Sequence, residues 1–360
     1  MGIHAARRRT ALWTTALVVV LLVTLVFCVG FGSVSVSPLD AARILSHHLF
    51  GTDLDVGGSG DTSDLSRHDA VIWTIRAPRA VLGAAVGAGL AVAGVILQAT
   101  VRNILADPYV LGVNSGASVG AAAAILTGVG AGAAAGFGDY ALQTSAFLGA
   151  TVASFVVYGV ACSGGRLTPT RLIMAGVAVG YALSALTSFM VFASDSAESS
   201  RSVMFWLLGS LGLASWSGPL LAVVVVVLLV TAFLLVLGPR LDALTAGDET
   251  ALTLGVNPER LRILLLVLSC LLVGTVVAMA GSIGFLGLVV PHLARRLVGG
   301  AHRAVVPVSA LLGAILLCWA DIGSRTLLAP QEIPIGIITA IVGAPFLLIL
   351  VRRMHQGVTP

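Results

Sequence analysis

Long apolar stretches separated by short polar ones repeat from one end of the chain to the other. A helix needs about 20 apolar residues to cross roughly 30 Å of hydrocarbon. Runs that meet or approach this length fall at 11–33, 78–100, 109–128, 141–162, 171–193, 217–238, 262–282, 284–299, 304–325 and 334–352. The pattern predicts an all-α, polytopic membrane protein with about ten transmembrane helices. The third and eighth runs are the shortest and are rich in glycine. A helical stretch is expected from Ser202 to Leu211, lying at the interface or forming a partial span.

Two polar connections stand out. The segment 34–75 opens with Ser37-Pro38-Leu39-Asp40, a helix-start pattern, and later carries a Gly/Ser/Asp stretch at 57–64. The segment 239–262 mixes Asp242, Asp248, Glu249 and Glu259 with small apolar residues. It reads as one or two short surface helices ending at Gly255-Val256-Asn257-Pro258. Residues 1–360 read as a single transmembrane domain.

Composition sharpens the class. Hydrophobic residues make up 58% of the 360 and charged residues 10%, where a soluble chain carries about 25% charged. Mean hydropathy is +1.04. The apolar surface must therefore face lipid or other helices, and the 42 glycines suit helices that pack backbone to backbone. The net charge of +4 is small and scattered, which argues against a nucleic-acid partner. The four cysteines, Cys28, Cys162, Cys270 and Cys318, show no CxxC or metal spacing and read as small packing residues. Arg7-Arg8-Arg9 before an apolar run resembles a signal peptide, but the run is too long and lacks an A-x-A site, so a retained first span is expected.

All 20 basic residues are arginine, and their distribution sets an orientation. With the N-terminus in the cytoplasm, fourteen fall inside: Arg7, Arg8, Arg9, Arg102, Arg166, Arg171, Arg240, Arg260, Arg262, Arg295, Arg296, Arg303, Arg352 and Arg353. Six fall outside: Arg43, Arg67, Arg76, Arg79, Arg201 and Arg325. Both termini are then cytoplasmic, with 34–75 external and 239–262 cytoplasmic.

Ala93-Gly94-Val95-Ile96 at the end of the second run is echoed by Ala280-Gly281-Ser282-Ile283 at the end of the seventh. Each is followed by a Gly- or Pro-interrupted segment, Asn103 to Asn114 and Gly284 to His292. An offset of five crossings inverts the second copy, and inverted repeats with broken helices are a transporter design. Ionisable residues inside the runs are nearly absent; only His292 and Asp321 come close, which gives ion-coupled transport little to work with. The chain has no GxxxxGK[ST] phosphate loop, so an energy source would be a cytoplasmic partner.

Several spaced motifs then appear in order. Arg76-Ala77-Pro78-Arg79 precedes Gly87-Ala88-Gly89-Leu90-Ala91-Val92-Ala93-Gly94, Gln98, Arg102-Asn103, Leu105-Ala106-Asp107-Pro108, Leu111-Gly112 and Ser115-Gly116-Ala117. The second half carries Gly255-Val256, the run from Gly281 to Arg295, Ala320-Asp321 with Arg325, Glu332-Ile333-Pro334-Ile335-Gly336 and Gly343-Ala344-Pro345. This chain resembles the FecCD-type permeases of binding-protein-dependent ABC importers, which serve iron–siderophore complexes, haem and cobalamin. The resemblance covers nearly the whole chain.

The resemblance implies a fold of ten helices per subunit in two inverted-repeat halves and a second permease subunit, as homodimer or heterodimer. It also implies separate ABC ATPase subunits, an extracytoplasmic solute-binding protein and a multi-pass place among the lipids of a bacterial plasma (inner) membrane. Arg76, Arg79 and Arg325 match positions that receive glutamates of the binding protein, a task suited to the guanidinium fork; the bland alternative is anchoring at the headgroups. Ala251, Leu254, Gly255 and Val256 match the part that fits a groove on the ATPase. Asn103, Leu105, Pro169 and Thr170 match positions that narrow the cytoplasmic end. Ile104 and Pro169 depart from the family pattern, a proline and a small hydroxyl residue respectively, and put the gate's geometry in question.

Asn114 and Ser115 either face the pathway or pack helices. His292 has no partner at ligand spacing and reads as structural, so no metal site and no cofactor are expected. The chain is expected to be no enzyme, with ATP hydrolysed by a partner. The expected function is import of a ferric siderophore by alternating access. Haem or cobalamin import is the alternative within the family, and an ATP-independent secondary carrier or channel the alternative outside it.

Overall fold

The computed structural model describes residues 3–31, 43–48, 51, 68–128, 140–163 and 168–356. The expected helix start at Ser37 and the stretch 57–64 lie outside these residues. Among the described residues there are helices and connections but no strand.

The helices are α1 (Ile3–Gly30), α2 (Ala77–Val101), α3 (Val113–Thr127), α4 (Ala141–Cys162), α5 (Pro169–Phe192), α6 (Ala197–Leu207), α7 (Gly218–Ala246), α8 (Asp248–Thr253), α9 (Pro258–Ala280), α10 (Leu286–Val298), α11 (His302–Thr326) and α12 (Ile335–Gln356). A π-helical turn, Ala70–Arg76, leads directly into α2, so the second crossing begins within what the sequence pattern assigns to a loop. Among the described residues seven helices are long and apolar enough to cross a membrane. The third, eighth and tenth predicted crossings are α3, α10 and α12, with shorter apolar lengths; α10 has only 13 residues.

The bundle is layered around α2. Its most apolar window, with the π turn, is 83% buried, against 22% for α1 and α5. It packs mainly on α11, α9, α10 and α7. Small residues allow this: a side chain at Gly87 would fall 2.2 Å from the carbonyl oxygen of Gly313, so the α2 and α11 backbones touch. The exposed apolar side chains of α1, α4, α5 and α7, such as Phe155, Phe189 and Leu229, are those expected of a lipid-facing or subunit-facing perimeter.

Further boundaries differ from the sequence pattern: the interrupted segment expected at 284–292 is helical from Leu286, with Pro291 inside α10. The expected connection 239–262 is mostly helix, because α7 runs on through Pro239 to Ala246. Its buried residues Val223, Val227, Val230, Leu234, Leu237, Leu241 and Leu244 keep one helical stripe across the proline, and that burial outweighs the lost hydrogen bond. The helix expected at 202–211 is α6, shifted to start after Ser196, whose hydroxyl accepts from the Ser199 N–H.

Candidate translocation and coupling sites

The interrupted segments of the two halves meet. α2 ends at Arg102, which takes a left-handed conformation (φ +53°), and Gly112 (φ +73°) precedes α3. α9 ends before Gly281 (φ +67°), and Phe285 (φ +70°) precedes α10. A left-handed backbone is unusual for a phenylalanine. The Tyr109 hydroxyl, in the first break, donates to the Ile283 carbonyl and accepts from its N–H, each at 2.9 Å. Asn114 Nδ2 donates to Ser282 Oγ at 3.0 Å. A side chain at Gly94 would overlap the Gly287 carbonyl, so α2 lies directly on the start of α10. The two breaks are therefore in contact, whereas the echoed residues differ in setting: residues 93–96 lie inside α2, which runs on to Val101, and residues 280–283 sit at the end of α9. Tyr109 is the member that sequence reasoning missed.

Of the other predicted gate residues, Asn103 Oδ1 accepts from the Leu105 N–H at 2.9 Å and fixes the turn after α2. Pro169 opens α5 behind the Thr168 cap, with Thr170 next. Gly176, further along α5, lies against the Val110 carbonyl, which ties α5 to the first break. Ser115 Oγ is 3.4 Å from Ser184 Oγ on α5. Ile104 is exposed. His292 makes an edge contact with Phe346, at a ring separation of 6.2 Å.

At one end of the bundle Arg76, Arg79 and Arg325 form one buried group. Arg79 Nε donates to Asp321 Oδ1 at 2.8 Å, and its two Nη atoms grip Glu332 at 3.1 and 3.0 Å. Arg325 Nε lies 3.0 Å from the other oxygen of Asp321. Arg325 also donates to the carbonyls of Phe31 and Cys28, and Arg76 to those of Val29 and Gly30. Those of Cys28, Val29 and Gly30 are the last carbonyls of α1, which have no partner within their own helix and carry its partial negative charge, and Phe31 follows directly. Two of the three arginines are thus committed to capping α1. Asp321, which the sequence left as a near-membrane charge, is held between two guanidiniums. A cavity of about 410 Å³ adjoins this group, lined by Arg79, Glu332, Trp206, Ser210 and Gly281 among others.

At the opposite end lies α8. Its first turn carries Asp248 and Glu249, favourable at a helix N-terminus. It closes with Gly255 in the left-handed region (φ +74°), Val256 N–H bonding the Ala251 carbonyl at 2.8 Å and Gly255 N–H that of Leu252 at 3.0 Å. Ala251 is fully buried, while Leu252 and Leu254 are exposed. Asp248 takes a bidentate pair from Arg262 at 2.6 and 3.1 Å and lies 3.4 Å from Arg102 Nη2. The Arg262 hydrogen bonds, more than burial opposes, hold the Asp248 carboxyl below the usual carboxylate range. Nearby, Asp242 on α7 accepts from the His302 N–H at 3.0 Å and caps α11. Among the described residues no group of three metal-binding side chains occurs.

Paired helix breaks in a polytopic bundle, with a buried polar network at one end and a short presented helix at the other, define a membrane transport subunit. The FecCD transport family model matches residues 20–353, and the chain belongs to that family of ABC importer permeases. The cobalamin import system permease protein BtuC of Halobacterium salinarum is 44% identical over 78% of this chain and 73% of its own length. The Fe(3+)-citrate import system permease protein YfmD of Bacillus subtilis is 37% identical over 97% of this chain and 98% of its own. The hemin transport system permease protein HmuU of Yersinia pestis is 40% identical over 81% and 86%. An inward-facing metal-chelate type ABC transporter superposes with a TM-score of 0.78 at 35% identity, covering 94% of this chain and 98% of that one.

Proposed function

We propose that this permease moves an iron–siderophore complex into the cytoplasm by alternating access, driven by separate ATPase subunits. The observation that carries the substrate is the likeness to an Fe(3+)-citrate permease along nearly the full length of both chains. Cobalamin is the second reading, favoured by the higher identity to the archaeal cobalamin permease. The α8 end faces the cytoplasm in this reading, since it collects the arginine-rich segments, and the Arg79 end faces outward. Exposed Leu252 and Leu254 then offer the ATPase an apolar knob, with Ala251, Gly255 and Val256 setting its shape. The binding protein docks at the Arg79–Glu332 pair, where Glu332 is half exposed and can yield its place to an incoming carboxylate, rather than on Arg76 or Arg325, whose guanidiniums cap α1. The Asn103–Leu105 turn and Pro169–Thr170 narrow the inner mouth, and Asn114 and Ser115 line the approach to the paired breaks.

Uptake into proteoliposomes holding the permease, its second subunit, the ATPase and the binding protein tests this. ATP-dependent accumulation of a radio-iron-labelled siderophore is expected, with cobalamin failing to compete. Accumulation of labelled cobalamin instead selects the second reading, and uptake that persists without the ATPase overturns both. Leu254→Ser in the same vesicles should weaken ATPase co-purification.

A further inference from the structure

We propose that the Asp248 carboxylate is the joint through which movement of α8 reaches both broken helices, through Arg262 into α9 and through Arg102 into the turn after α2. This rests on the reading of α8 as the ATPase-facing element. The geometry is specific. α8 is joined to α7 through Gly247, whose backbone (φ +131°) lies in a region open to glycine. A side chain built at Gly247 would come within 3.9 Å of Arg102 Nη1, so the flexible link and the arginine are neighbours. Apart from packing by Ala251, the polar tie between α8 and the rest of the bundle is Asp248.

That one side chain reaches two helices. Arg262, the fifth residue of α9, is buried, and the other end of that helix is the break at Gly281. Arg102 ends α2 in the left-handed conformation and is followed by Asn103, whose side chain fixes Leu105. Six residues beyond Asn103, Tyr109 bonds Ile283 in the other break. A displacement of α8 carried by Asp248 therefore acts on both elements that meet at the Tyr109–Ile283 contact. The pair is built for transmission: a bidentate carboxylate–guanidinium fork fixes direction as well as distance. Asp248 touches no solute in this arrangement and acts by positioning.

The test uses the full complex in proteoliposomes. Asp248→Asn keeps an acceptor oxygen and the side-chain volume but loses the charge-assisted fork. The expected result is ATPase co-purification unchanged and ATP-driven uptake down about tenfold, a typical size for coupling between sites. In parallel, Ile104→Cys in a cysteine-free background is labelled with a maleimide. Its labelling rate should change with ATP in the parent and not in the Asp248→Asn protein. Asp248→Glu should restore part of the uptake. Arg102→Gln, which leaves the Arg262 fork intact, should lower uptake by several-fold and supplies a milder variant if Asp248→Asn is poorly expressed. Normal uptake with normal ATP-dependent labelling in Asp248→Asn overturns the joint. Loss of ATPase co-purification in Asp248→Asn also overturns it, because Asp248 would then belong to the docking surface. The underlying reading fails separately, if Leu252→Ser/Leu254→Ser with Asp248 intact assembles normally with the ATPase.

Discussion

Two carboxylates in this molecule are each shared between two arginines, at opposite ends of the bundle. The Asp321 side chain is 3% exposed and sits between Arg79 and Arg325. The Asp248 side chain is 42% exposed and sits between Arg262 and Arg102. The first belongs to a group with three guanidiniums and two carboxylates, the excess positive charge facing the carbonyl end of α1. In a poorly solvated setting each member depends on the others, since removing one leaves an uncompensated charge. In the second, Asp248 and Arg102 are open to water while the Arg262 side chain is 4% exposed, so the Arg102 arm parts and re-forms at little cost and the Arg262 fork holds. Similar chemistry thus serves a fixed closure at one end and a movable tie at the other.

The largest expected effect separates the two directly. Asp321→Asn removes the charge between two buried guanidiniums and should cost about 3 kcal/mol of stability. Asp248→Asn, half open to water, should cost about 1 kcal/mol. Thermal unfolding in detergent reads both, with Asp321→Asn showing the larger fall in midpoint and a poorer yield. Equal falls would erase the distinction between fixed and movable. Glu332→Gln belongs between them, because Glu332 is half exposed yet holds both Nη atoms of Arg79. A cost of about 1–2 kcal/mol is expected, and a binding protein that reaches Arg79 should bind this variant more tightly, as titration in nanodiscs would show.

Much of this was legible in the residues, and the missing part has a common cause. Ten of the twelve helices follow from apolar runs, and the first break from the Gly and Pro that interrupt it; the second break lies at 281–285, just before the segment expected at 284–292, most of which is α10. The turn at Gly255 also followed, because a Schellman closure is written locally in residues 251–256. What was hidden is pairing at long range. Arg79 finds Asp321 across 242 positions, and Arg325 finds the carbonyls of α1 across more than 290. No local period encodes such partners, so these arginines read as free forks when they are partnered inside the chain. Tyr109 was hidden for the same reason, since its partner Ile283 lies 174 positions away. The continuation of α7 past Pro239 was readable in principle. The stripe from Val223 to Leu244 keeps its spacing, but the proline drew the boundary too early.

A screening experiment sharpens the comparison further at a smaller scale. Raising salt from 0.1 to 1 M shortens the Debye length from about 10 to about 3 Å. The stability difference between parent and Asp248→Asn should shrink over that range, since Asp248 and Arg102 are both open to solvent. The difference between parent and Asp321→Asn should hold. If both respond alike, water reaches Asp321 and the closed end is not closed.

Acid gives the smallest effect, with a definite sign. Asp248 is held below its unfolded value by Arg262, so its contribution to stability is fully present above the unfolded pKa of about 3.9. It is lost only as pH falls through the lower, folded value. Between pH 7 and 5 the midpoint difference between parent and Asp248→Asn should therefore be flat. Below about pH 4 it should narrow, as the parent carboxyl takes up a proton and comes to resemble the amide. A difference that narrows already between pH 6 and 5 would mean the carboxyl is raised rather than depressed. The Arg262 fork would then be too weak to transmit anything from α8.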